Sequence, residues 1–157
     1  MRTDNAAAIH RQDYAPPAFL VDTIDIGFDL DPAETRVAAR TVLRHNPKSE
    51  STDLVLHGEE VELVALRLNG KALTQRQYRR EAGRLVIPNA PAKITLEIET
   101  LIHPQENTSL MGLYVSNGNF FTQCEAEGFR KITYYLDRPD VMSVFTTTVE
   151  ADKAKYP

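Results

Sequence analysis

Alternation of apolar and polar residues constrains this chain more than any other feature of its sequence. From Ile24 the apolar residues occupy every second position, with aspartate and glycine between them. A second alternating set follows the Asp31–Pro32 turn, with arginines between its members; it comprises Val37, Ala39, Thr41 and Leu43. A period of two places alternate side chains on one face of a β-strand. The sequence therefore predicts two antiparallel strands that share one buried face.

An antiparallel pair needs further strands to be stable, and the sequence provides them. Further strands are predicted around residues 54–56, 61–68, 85–87, 94–98 and 145–149. Asn69-Gly70 follows the second of these and is the dipeptide preferred in two-residue type I′ hairpins. Helical periodicity is almost absent, so the predicted fold class is all-β, with an antiparallel β-sandwich as the architecture.

Length and composition predict one folded domain. A chain of 157 residues with 42% hydrophobic content has the size and the apolar surface of a single compact unit. The first residues are polar and aperiodic, and Pro16-Pro17 favours an extended backbone. We therefore expect residues 1–15 to form a flexible N-terminal arm and residues 16–157 to form the β-domain.

Charge and hydropathy restrict the partners and the compartment. The formal net charge is −4 and the 18 basic residues are scattered, which argues against nucleic-acid binding. No apolar run has the length of a signal peptide or a membrane span, so no membrane partner is expected. Cys124 is the single cysteine and excludes an internal disulfide. These features predict a soluble, cytoplasmic protein.

The sequence offers little of its own for metal or nucleophilic chemistry. Zinc enzymes typically pair two histidines on one helix with a carboxylate. The histidines of this chain are isolated in sequence and are interpreted as surface or turn residues; they are His10, His45, His57 and His103. No glycine-rich phosphate loop is present, and no metal ligand is predicted in this chain. Sequence spacing leaves open a serine or cysteine nucleophile.

One segment, residues 122–140, breaks the alternation and is dense in functional groups. Residue types alone predict a polar loop in which Asp137, Arg138 and Asp140 form local caps and ion pairs. The run from Gln123 to Asp140, QCEAEGFRKITYYLDRPD, also closely resembles the N-terminal domain of the bacterial aminopeptidase N family, within the M1 zinc metallopeptidases. The preceding SLMGLY segment, residues 109–114, is similar to the same family, as are residues 14–32 and 151–157.

The resemblance implies a saddle-like β-domain with a role in substrate binding. In that family the Gln-Cys-Glu element lies on a loop that reaches into the active site of a neighbouring, thermolysin-like catalytic domain. Matched position by position, Glu125 would bind the α-ammonium group of a peptide substrate, and Gln123 would support its first residue. Glu127 is then interpreted as a loop or interface carboxylate.

The resemblance also implies what this chain lacks. The His-Glu-x-x-His helix with its downstream glutamate, the Gly-Ala-Met-Glu-Asn strand and the catalytic tyrosine are missing from these residues. We therefore expect no catalytic residue in this chain, zinc in the full-length enzyme but none bound here, and no peptidase activity of the chain alone. The family's β-domain runs further than Pro157, so a C-terminally incomplete domain with an exposed sheet edge is expected.

A second hypothesis comes from a different functional class. A free-standing β-sandwich could use the same loop to bind a protein or a carbohydrate. The enzyme hypothesis expects the native reading frame to continue past Pro157 into a His-Glu-x-x-His pattern, whereas the binding-module hypothesis does not.

Overall fold

The chain forms an all-β structure, as predicted. The computed structural model describes residues 10–156, and every regular element in that range is a strand or a three-residue 3₁₀ helix. The strands are β1 (Phe19–Leu30), β2 (Thr35–His45), β3 (Leu54–His57), β4 (Glu62–Leu68), β5 (Lys71–Ala72), β6 (Arg79–Glu81), β7 (Arg84–Ile87), β8 (Lys93–Ile102), β9 (Gly112–Ser116), β10 (Asn119–Gln123) and β11 (Val144–Ala151). The 3₁₀ helices are Arg11–Asp13 and Phe129–Lys131.

The largest sheet contains six strands in the order β11–β1–β2–β8–β4–β5. Its central strands β1, β2, β8 and β4 pair antiparallel, as the sequence predicts. The pairing of β11 differs, because β11 lies parallel to β1, with Thr23 opposite Val144 and Leu30 opposite Ala151. A parallel neighbour cannot be reached through a hairpin. The strand that pairs with the free edge of β1 is instead β11, the last strand of the structure.

A β-bulge in β1 reverses which residues face the core. Pairing with β2 shifts register between Val21 and Thr23. Phe19 and Val21 are buried before the shift, and Ile24 and Ile26 are buried after it. A bulge adds one residue to one strand and so changes the parity of its buried positions. This explains why the alternation in the sequence starts at Ile24 although the strand begins at Phe19.

Two hairpins turn through an Asn-Gly dipeptide. Asn69 and Gly70 join β4 to β5 with φ angles of 50° and 78°. The predicted type I′ hairpin is confirmed, because that turn needs a positive φ at both central positions. Asn117 and Gly118 make the same connection between β9 and β10, with φ angles of 49° and 77°. The Asn117-Gly118 dipeptide signals this second hairpin, which was not predicted from the sequence.

The core is shared by two sheets. A second sheet has three strands in the order β3–β7–β6. Buried side chains of both sheets belong to one hydrophobic cluster, which includes Phe19, Ile24, Leu43, Leu54, Leu85 and Ile94. Fully burying such a side chain contributes about 1.5–3 kcal/mol. A core between two sheets agrees with the predicted sandwich.

The predicted N-terminal arm lies partly outside the described residues, which exclude residues 1–9. Within the described part of the arm, Tyr14 contacts Asp140 and Ala15 contacts Arg138. The Tyr14 hydroxyl donates to Asp140 Oδ2 at 2.9 Å, and Arg138 Nη2 donates to the Ala15 carbonyl at 2.9 Å. No helix among residues 10–156 is long and apolar enough to cross a membrane.

Candidate functional site

The segment singled out by the sequence begins at the end of the β9–β10 hairpin. Gln123 is the last residue of β10 and lies opposite Gly112, the first residue of β9. The next five residues, named the 124–128 loop here, form a compact turn that the Gly128 N–H closes by donating to the Cys124 carbonyl at 2.9 Å. The 3₁₀ helix Phe129–Lys131 follows at once. The hairpin therefore presents the loop directly at the end of a strand.

Two glycines allow the loop to pack closely on its neighbours. A Cβ at Gly128 would lie 2.8 Å from the Gln123 carbonyl oxygen and 2.9 Å from Cys124 Cα. A Cβ at Gly112, where φ is +75°, would lie 2.7 Å from Cβ of Lys131. Because the first contact is with backbone, a larger residue at position 128 would have to move the loop itself. Glycine is required there for steric reasons.

Glu125 and Gln123 lie at the surface of this loop region. Both residues are exposed, and the Gln123 side-chain amide donates to the Glu125 carbonyl at 3.4 Å. The peptide bond between Glu125 and Ala126 is cis. No ion pair found within residues 10–156 involves Glu125. Its carboxylate is therefore a charge without a fixed partner in the described part of the chain.

Glu127 is placed differently, because Arg130 holds it. Arg130 Nη2 lies 2.9 Å from Glu127 Oε2, and Arg130 Nε lies 2.8 Å from Asp137 Oδ2. Arg130 Nη2 also donates to the Asp137 carbonyl at 2.9 Å, and Nη1 lies 3.7 Å from Glu59 Oε1. Burial opposes the charge of Arg130, but the hydrogen bond to Asp137 and the surrounding carboxylates raise its pKa. The guanidinium therefore links three acidic residues, and Glu127 is a loop carboxylate.

The far end of this link is anchored in the core. Asp137 is 6% exposed and follows Leu136, which is 5% exposed. Tyr135 forms a β-bridge to His57 in β3: the His57 N–H donates to the Tyr135 carbonyl at 2.7 Å, and the Tyr135 N–H donates to the His57 carbonyl at 3.0 Å. The Thr100 hydroxyl in β8 donates to the Ile132 carbonyl at 3.1 Å. The segment after the 3₁₀ helix is thus tied to both sheets.

A second ion cluster, formed by Arg138 and Asp140, comes directly after Asp137 in the chain. Arg138 Nε lies 2.8 Å from Asp140 Oδ1, and Arg138 Nη2 lies 2.8 Å from Asp140 Oδ2. The two residues thus form a bidentate pair. The hydrogen bond from Arg138 lowers the pKa of Asp140. The Tyr14 ring stacks near Arg138, with the guanidinium carbon 5.8 Å from the ring centroid. The expected local ion pair is confirmed for Arg138 and Asp140, but the expectation of a solvated connection is wrong at Asp137, which is buried and pairs with Arg130. The central place of Arg130 was not predicted, although Glu127 three residues before it is a usable signal.

His57 and Cys124 are two titratable groups next to this site whose pKa values are shifted mainly by burial. Burial lowers the pKa of His57, and the nearby charge of Arg130 lowers it further. Its Nδ1 atom is buried and has no hydrogen-bond partner among the described residues. Burial raises the pKa of the Cys124 thiol, so Cys124 is held as a thiol and packs against the core. The thiol therefore lacks the thiolate form that a cysteine nucleophile requires.

The described residues do not fit a metal site. Among residues 10–156 no three histidine, cysteine, aspartate or glutamate side chains are grouped to hold a metal ion. His45 Nε2 instead lies 3.0 Å from the Ser51 carbonyl, and His103 Nδ1 lies 2.8 Å from the Ala33 carbonyl. The site can bind and orient a cation through the exposed carboxylate of Glu125. The loop that carries Glu125 is held by Arg130 and by the bond between Gly128 and Cys124.

Comparison with known proteins identifies the type of domain. Residues 21–156 match the family described as the peptidase M1 N-terminal domain. The chain is 47% identical over 158 residues to aminopeptidase N of Caulobacter vibrioides, which covers all of this chain and 18% of that protein. It is 46% identical over 156 residues to aminopeptidase N of Escherichia coli K12, covering 99% of this chain and 18% of that protein. The chain thus spans less than a fifth of the length of these relatives.

Solved structures give the same picture. Legionella pneumophila aminopeptidase A, in a crystal structure with aspartic acid, superposes with a TM-score of 0.84 and 34% identity, over 92% of this chain and 17% of that chain. The M1 zinc metallopeptidase of Deinococcus radiodurans, in its E323A form, has a TM-score of 0.70 at 14% identity, over 85% of this chain and 32% of that chain. This second likeness concerns the fold alone.

Proposed function

Since the chain belongs to the family of peptidase M1 N-terminal domains, we propose that it is the substrate-recognition domain of a zinc aminopeptidase that releases N-terminal amino acids from peptides. In this proposal Glu125 binds the α-ammonium group of the peptide substrate, and Gln123 supports the first residue. The chain has no part in bond cleavage itself. The partner that cleaves is a thermolysin-like catalytic domain of the same polypeptide.

The observation that carries the proposal is the contrast between the two loop glutamates. Glu127 is engaged by Arg130 at 2.9 Å, so its charge is already neutralised within the domain. Glu125 lies two residues away, exposed, and takes part in none of the ion pairs of residues 10–156. A carboxylate that a loop presents at the surface without an internal ion-pair partner suits an external cation. A peptide amino terminus is such a cation.

The chemistry of the amino terminus suits a carboxylate. A peptide α-amine has a pKa of roughly 8, so much of it is protonated near neutral pH. Charge-assisted hydrogen bonds between ammonium and carboxylate groups are short and about twice as strong as neutral ones. Fixing the terminus also decides which carbonyl reaches the reacting centre, because a bound end positions the first peptide bond. An internal peptide bond carries no ammonium group, which accounts for removal of one residue at a time.

The remaining parts of the proposal concern the complete enzyme. Zinc is proposed for the catalytic domain, as the resemblance to the M1 zinc metallopeptidase family implies. The described residues of this chain have no ligand group for it, and so no step of catalysis is assigned to them. A cytoplasmic location stays a prediction from the sequence.

A chimera tests the proposal. This complete chain replaces the matching N-terminal segment of Caulobacter vibrioides aminopeptidase N, to which it is 47% identical. The unaltered chimera is expected to hydrolyse an amino-acid anilide. Glu125→Gln in the chimera is expected to lower kcat/KM by about 30-fold or more, which corresponds to about 2 kcal/mol, the lower end for loss of one partner of a buried charge pair.

Glu34→Gln is the matched control, because Glu34 is exposed in the turn between β1 and β2. It should leave kcat/KM within twofold of the unaltered chimera. If Glu125→Gln behaves like Glu34→Gln, the role of Glu125 in binding is wrong. A folded, zinc-loaded chimera without activity would count against the domain's assignment, and would favour the free-standing binding module.

A further inference from the structure

We propose that Arg130 is the positioning residue of the substrate site, since it fixes the 124–128 loop, and therefore Glu125, relative to the core. This inference rests on the proposed function of Glu125 and adds to it the group that holds the loop in place. Arg130 does not contact substrate in this proposal. It acts through Glu127, which lies on the same loop as Glu125.

Asp137 fixes the guanidinium of Arg130. Asp137 Oδ2 accepts two hydrogen bonds from Arg130, from Nε at 2.8 Å and from the backbone N–H at 3.1 Å. The Asp137 carbonyl accepts a third from Nη2 at 2.9 Å. The side chain of Asp137 is only 8% exposed and that of Arg130 only 15% exposed. A planar guanidinium that is bonded on several atoms has one orientation available.

This orientation directs Nη2 of Arg130 at the 124–128 loop. Nη2 bonds to the Asp137 carbonyl and to Glu127 Oε2, both at 2.9 Å. Glu127 has a side chain that is 52% exposed, so its position depends on Arg130 more than on packing. The 124–128 loop is thus held at Glu127 by Arg130, and at its two ends by the bond between Gly128 and Cys124.

Glu59, which follows strand β3 of the second sheet, also holds Arg130. The Glu59 N–H, just after β3, donates to the Arg130 carbonyl at 2.9 Å, and Glu59 Oε1 lies 3.7 Å from Arg130 Nη1. Main chain and side chain of Arg130 are therefore fixed from one side by Asp137 and from another by Glu59. A lysine has a single charged nitrogen and no planar fork, so it cannot make these contacts together.

Functional sites lose efficiency when the groups that support them become loose. Here the loop could stay folded without the contact between Glu127 and Arg130, while the carboxylate of Glu125 would sample more positions. Such a change weakens binding of the amino terminus before it affects bond cleavage. Loss of uniform binding raises KM and leaves kcat nearly unchanged. The expected signature is therefore in KM.

The test uses the chimera described above, with kcat and KM measured separately for an amino-acid anilide. Glu127→Gln removes the contact at an exposed side chain, and Arg130→Lys keeps the charge but removes the fork. Each is expected to raise KM by about five- to thirty-fold, with kcat within about threefold. The matched control is Arg44→Lys, because Arg44 also bonds a carboxylate through Nε, Asp22 Oδ1 at 2.9 Å, but does so in the large sheet. It should leave KM within twofold.

A double-mutant cycle separates positioning from general damage. If Glu127 acts through Glu125, then Glu127→Gln should have no further effect on KM once Glu125→Gln is present. The inference is overturned if Glu127→Gln leaves KM within twofold, or if its effect is undiminished in the Glu125→Gln background. In both cases the proposed role of Glu125 survives, provided that Glu125→Gln alone lowers kcat/KM. If Glu125→Gln alone has no effect, the proposed function fails and this inference fails with it.

Discussion

Arg130 and Asp137 form a largely buried ion pair in which one carboxylate oxygen, Asp137 Oδ2, accepts from both the side chain and the backbone N–H of the same arginine, at 2.8 Å and 3.1 Å. The six residues between them are Lys131, which ends the 3₁₀ helix, and the buried segment 132–136, in which Tyr135 bridges to β3. The pair thus closes this stretch of chain upon itself. The loop that carries Glu125 and Glu127 enters directly into it.

Asp137→Ala should destabilise the fold strongly. It leaves the guanidinium of Arg130 without its main partner in a site where the side chain is only 15% exposed. Removing one partner of a buried pair costs about 3–5 kcal/mol, and the loss here should lie near the lower end because Glu127 and Glu59 still compensate part of the charge. Urea unfolding of the chain measures the loss. Asp22→Ala is the control, since its pair with Arg44 is about half exposed and should cost no more than about 1 kcal/mol; equal losses would contradict the prediction.

Gly128→Ala should disturb the loop by direct contact with backbone. The added Cβ would lie 2.8 Å from the Gln123 carbonyl oxygen and 2.9 Å from Cys124 Cα, and neither atom can rotate away. Overpacking of this kind costs about 1–3 kcal/mol. Gly27→Ala is the control, because its Cβ would meet only the Ala38 carbonyl oxygen, at 3.9 Å. Thermal unfolding should show a lower midpoint for Gly128→Ala alone, and a similar midpoint for both variants would refute the steric argument.

Stability should fall as the pH is lowered below about 6.5, and His57 should contribute to the fall. Burial lowers the pKa of His57 in the folded chain below the ordinary value of 6.5, and its Nδ1 has no partner that would favour a proton. The unfolded chain therefore binds more protons between the lowered pKa and 6.5, so the free energy of unfolding rises with pH there and levels off above it. Urea unfolding at pH 5 and pH 8 measures this difference.

His57→Gln removes this titration and keeps the backbone bridge between His57 and Tyr135. The difference in unfolding free energy between pH 8 and pH 5 should be smaller in the variant than in the unaltered chain. The value at pH 8 accounts for any general destabilisation by the substitution. An unchanged difference would mean that His57 does not titrate with a lowered pKa.

The strands were predictable where one face of a strand is buried and the other is not. Val37, Ala39 and Leu43 of β2 alternate with arginines, and the structure buries this set. The start of β1 was not predictable in the same way, because the bulge near Asp22 moves the buried positions from odd to even numbers. A bulge depends on pairing with β2, and single-strand periodicity carries no information about pairing.

The candidate site was predictable as a segment but not as an arrangement. Its residues stand out in the sequence by their density of charge, and the family resemblance selects Glu125 over Glu127. The network around Arg130 depends on Glu59 and Asp137, which come from separate parts of the chain. Only the folded structure brings these groups together. The residue types alone gave no reason to place Arg130 at their centre.

The last strand of the structure should make the chain self-associate. Strand β11 lies at the edge of the six-stranded sheet, and all eight of its residues are exposed. Its segment 144–149, VFTTTV, has no charge, proline or glycine, and Val144 and Val149 are 68% and 58% exposed. Exposed edges without charged residues pair with other strands, and segments of this composition favour β-assembly. Light scattering coupled to size exclusion should show a mass that rises with concentration.

A charge placed on this edge should prevent the association. Thr147→Lys puts a lysine in the middle of the exposed segment, which is how natural sheets protect their edges. The variant should remain monomeric at concentrations where the unaltered chain associates. Gln75→Lys adds the same charge to an exposed turn residue after β5 and should not change the association. If Gln75→Lys suppresses the association as well, net charge is responsible; if Thr147→Lys does not suppress it, β11 is not the contact surface.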